Sequence, residues 1–125
     1  MKLTQFLTIK EVLDLHTRTI IKHGGADGIR DMGLLESSLM RAQSGYYESL
    51  SEQAAALMQS FCMNHPFVDG NKRMALLVTS VFLKMNHYHL TATNSDFVRF
   101  ILIDVIQNKS DIKDISQWLE SKMKS

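Results

Sequence analysis

The sequence predicts an all-α fold, a compact bundle of about six helices in a single domain over residues 1–125. Three observations predict this class. Apolar residues recur at helical spacing in successive stretches, residues that cap helices stand before these stretches, and the loops between them are short. Strand is expected in at most one short β-hairpin. A chain of 125 residues, 45% of them apolar and 22% charged, can bury one hydrophobic core.

The first two predicted helices flank a glycine-rich loop. Thr8 can cap the first helix, and Gly24 with Gly25 ends it. His16 falls on the apolar face of this helix, where a hydrogen-bonded core histidine is expected. After the loop "GGADGIRDMG", Asp31 can cap a second helix through "LLESSLMRAQ".

The third and fourth predicted helices meet at the single proline. Ser49 and Glu52 have the spacing of a capping box and start a helix over "AAALMQSFCMNH". This helix must stop near His65, because Pro66 biases the residue before it out of the helical conformation. The chain re-enters helix after Asn71, a residue type that favours the N-cap. The stretch "KRMALLVTSVFLKMNHY" is then apolar on nearly every side, which predicts the buried central helix of the bundle.

The last part of the chain predicts one extended piece and two more helices. "HYHLTAT", residues 87–93, can form the short extended piece or one arm of a hairpin. Either Ser95 or Asp96 can cap the helix "FVRFILIDVIQN", and either Asp111 or Asp114 can cap the final helix.

Composition argues against several function classes. With 14 basic and 13 acidic residues, the net charge of +1 gives no overall field that favours nucleic acid or a membrane surface, so any anion site must be local. The single cysteine, Cys62, cannot form an internal disulfide and is expected to be an inert core residue. No secretory signal or membrane-spanning stretch is recognisable, so a cytoplasmic location is expected. Walker A, GxGxxG and HExxH patterns are absent.

The junction "HPFVDGNKR", residues 65–73, breaks a rule of helix electrostatics. The start of a helix carries partial positive charge and unbonded N–H groups, yet Lys72 and Arg73 add two cations there. A bound phosphate over the N–H groups of Asn71, Lys72 and Arg73 would compensate, and Gly70 would let it approach the backbone closely. The alternative is that both side chains turn to solvent and Asp69 neutralises them.

Other residues of the junction favour group-transfer chemistry. His65 can exchange a proton near neutral pH, and Asp69 offers oxygen ligands of the kind that Mg²⁺ prefers. An imidazole, a carboxylate, two cations and a helix start together suit phosphoryl or nucleotidyl transfer to a hydroxyl. Phe67, beside Pro66, is expected to anchor the loop in the core. His87 and His89 could imitate a metal pair, but no third ligand has a suitable spacing, and contact with a nucleotide or target is favoured instead.

The same junction carries a resemblance to a known family. "HPFVDGNKR" is similar to the Fic/Doc signature His-x-Phe-x-(Asp/Glu)-(Gly/Ala)-Asn-(Gly/Lys)-Arg at every defined position. The upstream stretch "GGADGIRDMGLLESSL" looks like the N-terminal half of death-on-curing (Doc) toxins of type II toxin-antitoxin systems. The sequence is therefore identified as a member of the Fic/Doc family, most like the Doc toxins.

The resemblance implies an activity and a role for each residue of the junction. Fic proteins that transfer AMP have glycine at the position of Lys72, whereas Doc-type proteins have lysine. The lysine implies a protein phosphotransferase that moves the γ-phosphate of ATP to a Ser/Thr hydroxyl of a translation factor, elongation factor Tu, and so inhibits translation. His65 would be the general base, and Asp69 would hold Mg²⁺ or orient the reacting groups. The phosphates of ATP would be bound by Gly70, Asn71, Lys72 and Arg73, with Pro66 and Phe67 as structural support.

Partners and alternatives also follow from the resemblance. An antitoxin similar to Phd would cover the active-site cleft, and neither DNA binding by this chain nor membrane binding is implied. Some Fic proteins carry their own inhibitory helix, Ser/Thr-x-x-x-Glu-(Gly/Asn). "SQWLES", residues 116–121, departs from this motif at Ser121, so inhibition by a separate protein is expected. The alternatives are AMP transfer and a catalytically silent module that binds the antitoxin or a nucleotide.

Overall fold

The structure is a computed structural model that describes residues 3–125. The predicted all-α fold is confirmed, with six helices in the described part of the chain and two very short strands. Helix α5 continues without interruption into a π-helical segment, Phe100–Gln107. The elements are α1 Ile9–His23, α2 Met32–Ala42, α3 Leu50–Asn64, α4 Asn71–Met85, β1 His89–Leu90, α5 Asn94–Arg99, α6 Ile112–Lys122 and β2 Met123–Lys124.

Helix α3 is the most buried helix, whereas the sequence favoured α4 for this place. Nine residues of α3 are buried, against six of α4, and α3 packs against α2, α4 and α6. Three consecutive alanines, Ala54–Ala56, are fully buried and allow close packing on several sides. Leu76 and Leu77 of α4 are only partly buried and line an open groove at the edge of the core, which is why apolar periodicity alone was misleading.

Most of the predicted caps are confirmed. Thr8 and Ser49 each form a complete capping box, with Glu11 and Glu52 respectively. Gly24 ends α1 with a positive φ of 81°. The Asp31 carboxylate accepts a hydrogen bond from the Leu34 N–H at 3.0 Å and caps α2. Of the two candidates for the last helix, Asp111 is the cap, and its carboxylate accepts from the Asp114 N–H at 2.9 Å.

The predicted cap of α5 was wrong by two or three residues. Thr93, not Ser95 or Asp96, occupies the N-cap position, and its hydroxyl accepts from the Asp96 N–H at 3.1 Å. Asp96 completes the box from the third helical position, so one of the two predicted residues takes the reciprocal role.

The π-helical segment was not predicted. The Asn108 N–H donates to the Ile103 carbonyl at 2.9 Å, five residues back, which is the π-helical bonding pattern. The segment is fixed from one side by Trp118 of α6, whose ring stacks on Phe100 at a centroid distance of 3.9 Å. The start of the π-helical segment is therefore packed against α6 through this aromatic contact.

The two strands pair with each other across a long stretch of sequence. β1 and β2 are antiparallel, with His89 opposite Lys124 and Leu90 opposite Met123. The extended piece predicted near residues 87–93 is thus present, but it pairs with the last described residues and does not form a local hairpin.

None of the described helices has the length and apolar content required to cross a membrane.

Candidate active site

His65 lies at the end of α3 in an unusual backbone conformation. It is the C-cap residue, with φ 48° and ψ 58°, in the left-handed region that favours glycine. Its side chain is exposed, while the following Pro66 is buried. The chain turns away from α3 at this point, as Pro66 predicted, and the turn presents the imidazole at the surface.

The loop after His65 is anchored in the core by its aromatic residue. Phe67 is 1% exposed, and its ring stacks on the imidazole of His16 with a centroid distance of 3.8 Å and an interplanar angle of 6°. His16, 2% exposed, bonds through Nε2 to the Asp69 carbonyl at 2.9 Å. A carbonyl can only accept, so Nε2 carries the proton. The core histidine predicted on α1 is confirmed, and its partner is the backbone of the loop.

A second support comes from the segment between α1 and α2. Ile29 forms an isolated antiparallel bridge with Phe67, and the Val68 N–H donates to the Gly28 carbonyl at 3.0 Å. Arg30 donates from Nε to the His65 carbonyl at 2.6 Å and from Nη2 to the Asn64 carbonyl at 2.7 Å. No sequence pattern marks Arg30 as a site residue. It lies 35 residues from His65 along the chain, and only the upstream similarity to Doc toxins included it.

Asp69 is held by two backbone N–H groups. Its carboxylate accepts from the Ala26 N–H at 3.2 Å and from the Gly70 N–H at 2.8 Å. These two hydrogen bonds, first that from Ala26, lower the pKa of Asp69 below its usual value, and the charge of Arg73 adds to the shift. Gly25 makes room for this arrangement: its φ is +111°, and a Cβ at this position would lie 2.8 Å from Oδ2 of Asp69.

Asn71 does not cap α4, contrary to the sequence prediction. Gly70 is the N-cap, with φ 80°, and α4 begins at Asn71. The Asn71 side chain instead accepts from the Phe67 N–H at 3.0 Å and donates to the Phe67 carbonyl at 2.9 Å. The oxygen and the nitrogen of the Asn71 amide are thus both hydrogen-bonded within the loop, and these bonds close residues 67–71 into a compact turn.

The start of α4 consequently has no side-chain cap. Its first backbone hydrogen bond runs from the Met74 N–H to the Gly70 carbonyl at 2.9 Å, so the N–H groups of residues 71–73 precede the helical bonding pattern. Lys72 and Arg73 are both exposed. Within residues 3–125 neither forms an ion pair with a carboxylate within 4.0 Å, so Asp69 does not neutralise them by direct contact.

Two depressions meet at Lys72 and Arg73. The smaller, about 360 Å³, lies over the loop and is lined by His65, Val68, Asp69, Gly70, Asn71, Lys72 and Arg73. The larger, about 600 Å³, is a groove with apolar walls that contain Leu77, Val98 and Ile101. His23 is exposed but also lines the groove, where desolvation together with the charges of Arg73 and Lys22 lowers the pKa of this imidazole. All five of the sequence-predicted polar site residues are therefore gathered around one depression.

The remaining candidate ligands and nucleophiles lie apart from this site. His87 and His89 are exposed at the far end of α4, and His87 has a positive φ of 72°. No group of three or more histidine, cysteine, aspartate or glutamate side chains that could hold a metal ion occurs in residues 3–125. Cys62 is buried, as predicted, and its burial raises the thiol pKa to about 12, which keeps it protonated and unreactive at neutral pH.

The arrangement of the site suits the transfer of a charged group. An exposed imidazole, a carboxylate of low pKa, two exposed cations without an ion-pair partner among residues 3–125, and a helix start without a side-chain cap surround one depression of about 360 Å³. Phosphate oxygens bind well at such helix starts, because the N–H groups and the helix dipole both favour negative charge. The imidazole at the same rim can accept a proton from an attacking hydroxyl.

Comparison with known proteins identifies the family. Residues 6–83 match the family model described as "Fic/DOC family". The chain is 34% identical to Toxin Doc of Mycolicibacterium smegmatis over 123 residues, which cover 94% of this chain and 92% of that toxin. It is 33% identical to Protein kinase doc of Escherichia phage P1 over 81 residues, or 62% of this chain and 64% of the phage protein. The chain belongs to the Fic/Doc family.

Proposed function

We propose that this protein is the toxin of a toxin-antitoxin system and acts as a phosphotransferase, moving the γ-phosphate of ATP to a Ser/Thr hydroxyl of a translation factor. The observation that carries the proposal is the uncapped, dicationic start of α4 at the rim where His65 is exposed. The similarity to Toxin Doc and to Protein kinase doc supports both parts of the proposal.

Each residue then has a defined role in the reaction. His65 accepts the proton of the attacking hydroxyl, whose oxygen forms a bond to the γ-phosphorus while the bond to the β,γ-bridging oxygen breaks and ADP leaves. Lys72 and Arg73 neutralise charge on the phosphates, and the N–H groups at the start of α4 bind phosphate oxygens. Gly70, which has no side chain, leaves the backbone open to the nucleotide.

Mg²⁺ would be held chiefly by the nucleotide. When bound, it would neutralise charge between the phosphates. Asp69 is the carboxylate in the depression that could contribute an oxygen, although both of its oxygens already accept a backbone hydrogen bond. Its low pKa fits this role, because the group stays ionised across the physiological range.

Transfer of AMP is the alternative activity. It differs in which phosphorus is attacked, and hence in which end of ATP lies over the start of α4. Lys72 favours phosphate transfer, because its side chain is exposed at the depression and takes up part of the space that a glycine would leave to a diphosphate. The preference also agrees with the resemblance to Doc-type proteins, which have lysine at this position.

We further propose that a Phd-like antitoxin inhibits the protein by covering the groove beside the active site. The groove has a volume of about 600 Å³ and an apolar wall from α4 and α5, which suits one face of an amphipathic segment. An inhibitory helix within the chain is disfavoured, since Glu120 of the "SQWLES" stretch accepts a hydrogen bond from the Ser51 hydroxyl of α3 at 3.1 Å.

Labelled ATP distinguishes the candidate activities. The purified protein, freed of any partner, is incubated with a translation extract, or with purified elongation factor Tu, and with ATP labelled at either the α or the γ position. Label that reaches protein only from the γ position supports phosphate transfer, and label only from the α position supports AMP transfer. No label from either position supports a silent binding module. His65→Ala serves as the inactive control.

A further inference from the structure

We propose that Arg30 is a positioning residue for His65: it binds three consecutive carbonyl groups around His65 and thereby keeps the imidazole at the rim of the active-site depression. The proposal rests on the proposed function for its kinetic consequence. Its structural part, that Arg30 sets the conformation of His65, is independent of which group the protein transfers.

The backbone of His65 needs such a restraint. A residue with a Cβ seldom occupies the left-handed region, and φ 48° with ψ 58° places His65 there. The following Pro66 favours an extended conformation for the residue before it, which would swing the imidazole elsewhere. A conformation of this kind persists only where surrounding contacts enforce it, and such residues cluster at active sites.

Arg30 supplies these contacts. Its Nη2 donates to the Asn64 carbonyl at 2.7 Å, and its Nε donates to the His65 carbonyl at 2.6 Å. Its backbone N–H donates to the Pro66 carbonyl at 2.8 Å. One residue thus fixes the carbonyls before, at and after the turn. A rotation of ψ at His65 would redirect the His65 carbonyl and break the bond to Nε.

The guanidinium group is suited to this position and has no competing partner in the described chain. The carbonyls at the end of a helix lack intrahelical donors and carry partial negative charge. No carboxylate lies within 4.0 Å of the Arg30 side chain in residues 3–125. The planar fork of arginine can reach two adjacent carbonyls at once, whereas the single ammonium of lysine cannot reproduce that geometry.

Arg30 is itself held in place from both sides. Ile29 is bridged to Phe67, and Asp31 caps α2 while its N–H donates to the Pro66 carbonyl at 3.1 Å. The side chain therefore starts from a fixed backbone and reaches a fixed target. It touches neither the depression nor the reacting atoms, so it acts through His65.

The test compares Arg30→Lys and Arg30→Ala with Arg41→Lys. Arg41 is a matched control, because it is also an arginine next to α3 with two side-chain hydrogen bonds, from Nε to the Tyr47 hydroxyl at 2.9 Å and from Nη1 to the Ser60 hydroxyl at 3.1 Å. It lies outside the active-site depression. Two quantities are measured: the ring carbon and proton chemical shifts of His65 by NMR, and kcat and KM for ATP in the labelled transfer reaction.

For Arg30→Lys we expect displaced His65 ring shifts, a kcat reduced about tenfold to a hundredfold, and a KM for ATP changed by less than about twofold. Arg41→Lys should leave both readouts as in the unmodified protein. If Arg30→Ala does not fold, Arg30→Lys alone decides the outcome. Unchanged His65 shifts and kcat in a folded Arg30 variant, or equal changes in Arg41→Lys, would overturn the proposal. If the unmodified protein transfers no phosphate, the proposed function fails, and the His65 shifts still decide the role of Arg30.

Discussion

At the scale of single residues, His65 places an imidazole at a backbone position whose left-handed conformation favours glycine. Glycine would fit the left-handed C-cap of α3 with less strain, but it offers no imidazole. His65→Ala and His65→Gly should therefore both abolish transfer and growth arrest. The glycine variant should be more stable than the alanine variant by about 1 kcal/mol. Urea unfolding measures that difference, and growth arrest by either variant at normal expression would contradict the assigned role.

The stability of the folded protein should depend on pH through the carboxylate of Asp69. Its pKa is lowered in the folded protein by the hydrogen bonds from Ala26 and Gly70, so ionised Asp69 stabilises the fold above the pKa of the unfolded chain. This contribution is lost as the pH falls through the lower, folded-state pKa. We expect the stability advantage of the unmodified protein over Asp69→Asn to be present near pH 7 and to shrink below about pH 4. Urea midpoints of both proteins across this range provide the measurement, and a pH-independent difference would refute the linkage.

At the scale of elements, the N-cap of α5 gives a direct test of local capping. Thr93→Ala removes the hydroxyl that accepts from the Asp96 N–H and should cost about 1 kcal/mol of stability. Ser95→Ala is the matched control, because Ser95 is exposed and lies inside the first turn. Its free energy of unfolding should change by less than about 0.5 kcal/mol. A larger loss in Ser95→Ala than in Thr93→Ala would show that the cap is misassigned.

The loop between α3 and α4 depends on the amide of Asn71. Asn71→Ala removes both hydrogen bonds to Phe67 and should destabilise the protein by about 1–3 kcal/mol. Asn71→Asp keeps the acceptor for the Phe67 N–H and loses the donor to the carbonyl, so its loss should be intermediate in the absence of nucleotide. Thermal or urea unfolding ranks the variants. If Asn71→Ala is as stable as the unmodified protein, the closed turn does not rely on this side chain.

Several elements were predictable because their signals are local. The capping boxes at Thr8 and Ser49 and the break at Pro66 each involve residues within four positions of one another. The cap of α5 was missed because Thr93, Ser95 and Asp96 are all capping types within four residues, and propensity does not choose among them. Asn71 was misassigned for a related reason: its amide found partners on the backbone of Phe67, which no sequence pattern shows.

At the scale of the whole molecule, the polar side chains of the site were predictable from one sequence motif, whereas the contacts that hold this motif in place form only in the folded chain. His65, Asp69, Lys72 and Arg73 lie within one continuous stretch of nine residues, the loop before α4 and its first turn, so a single sequence motif contains all four. Their supports lie elsewhere in the chain: the His16–Asp69 bond spans 53 residues and the Arg30–His65 bond spans 35. The burial of α4 was overestimated because an apolar groove wall and a core face have the same periodicity.

The charge distribution predicts a local dependence on salt. The molecule carries a net charge of only +1, so in the proposed reaction the cations beside the depression would have to attract ATP. Lys72→Ala and Arg73→Ala should each weaken ATP binding about tenfold at low ionic strength and reduce its dependence on salt. Lys84→Ala is the control, since Lys84 is exposed at the opposite end of the same helix. Calorimetric titration at low and high salt measures the effect, and an equal loss in Lys84→Ala would contradict it.

The close approach of Gly25 to Asp69 has a genetic consequence. In a culture forced to express the protein without its neutralising partner, the colonies that grow carry inactivated copies of the gene. Every missense change in codon 25 introduces a Cβ against Oδ2 of Asp69 and strains a backbone with φ +111°. Codon 25 should therefore recur among the survivors beside codon 65, although Gly25 lines neither of the two depressions at Lys72 and Arg73.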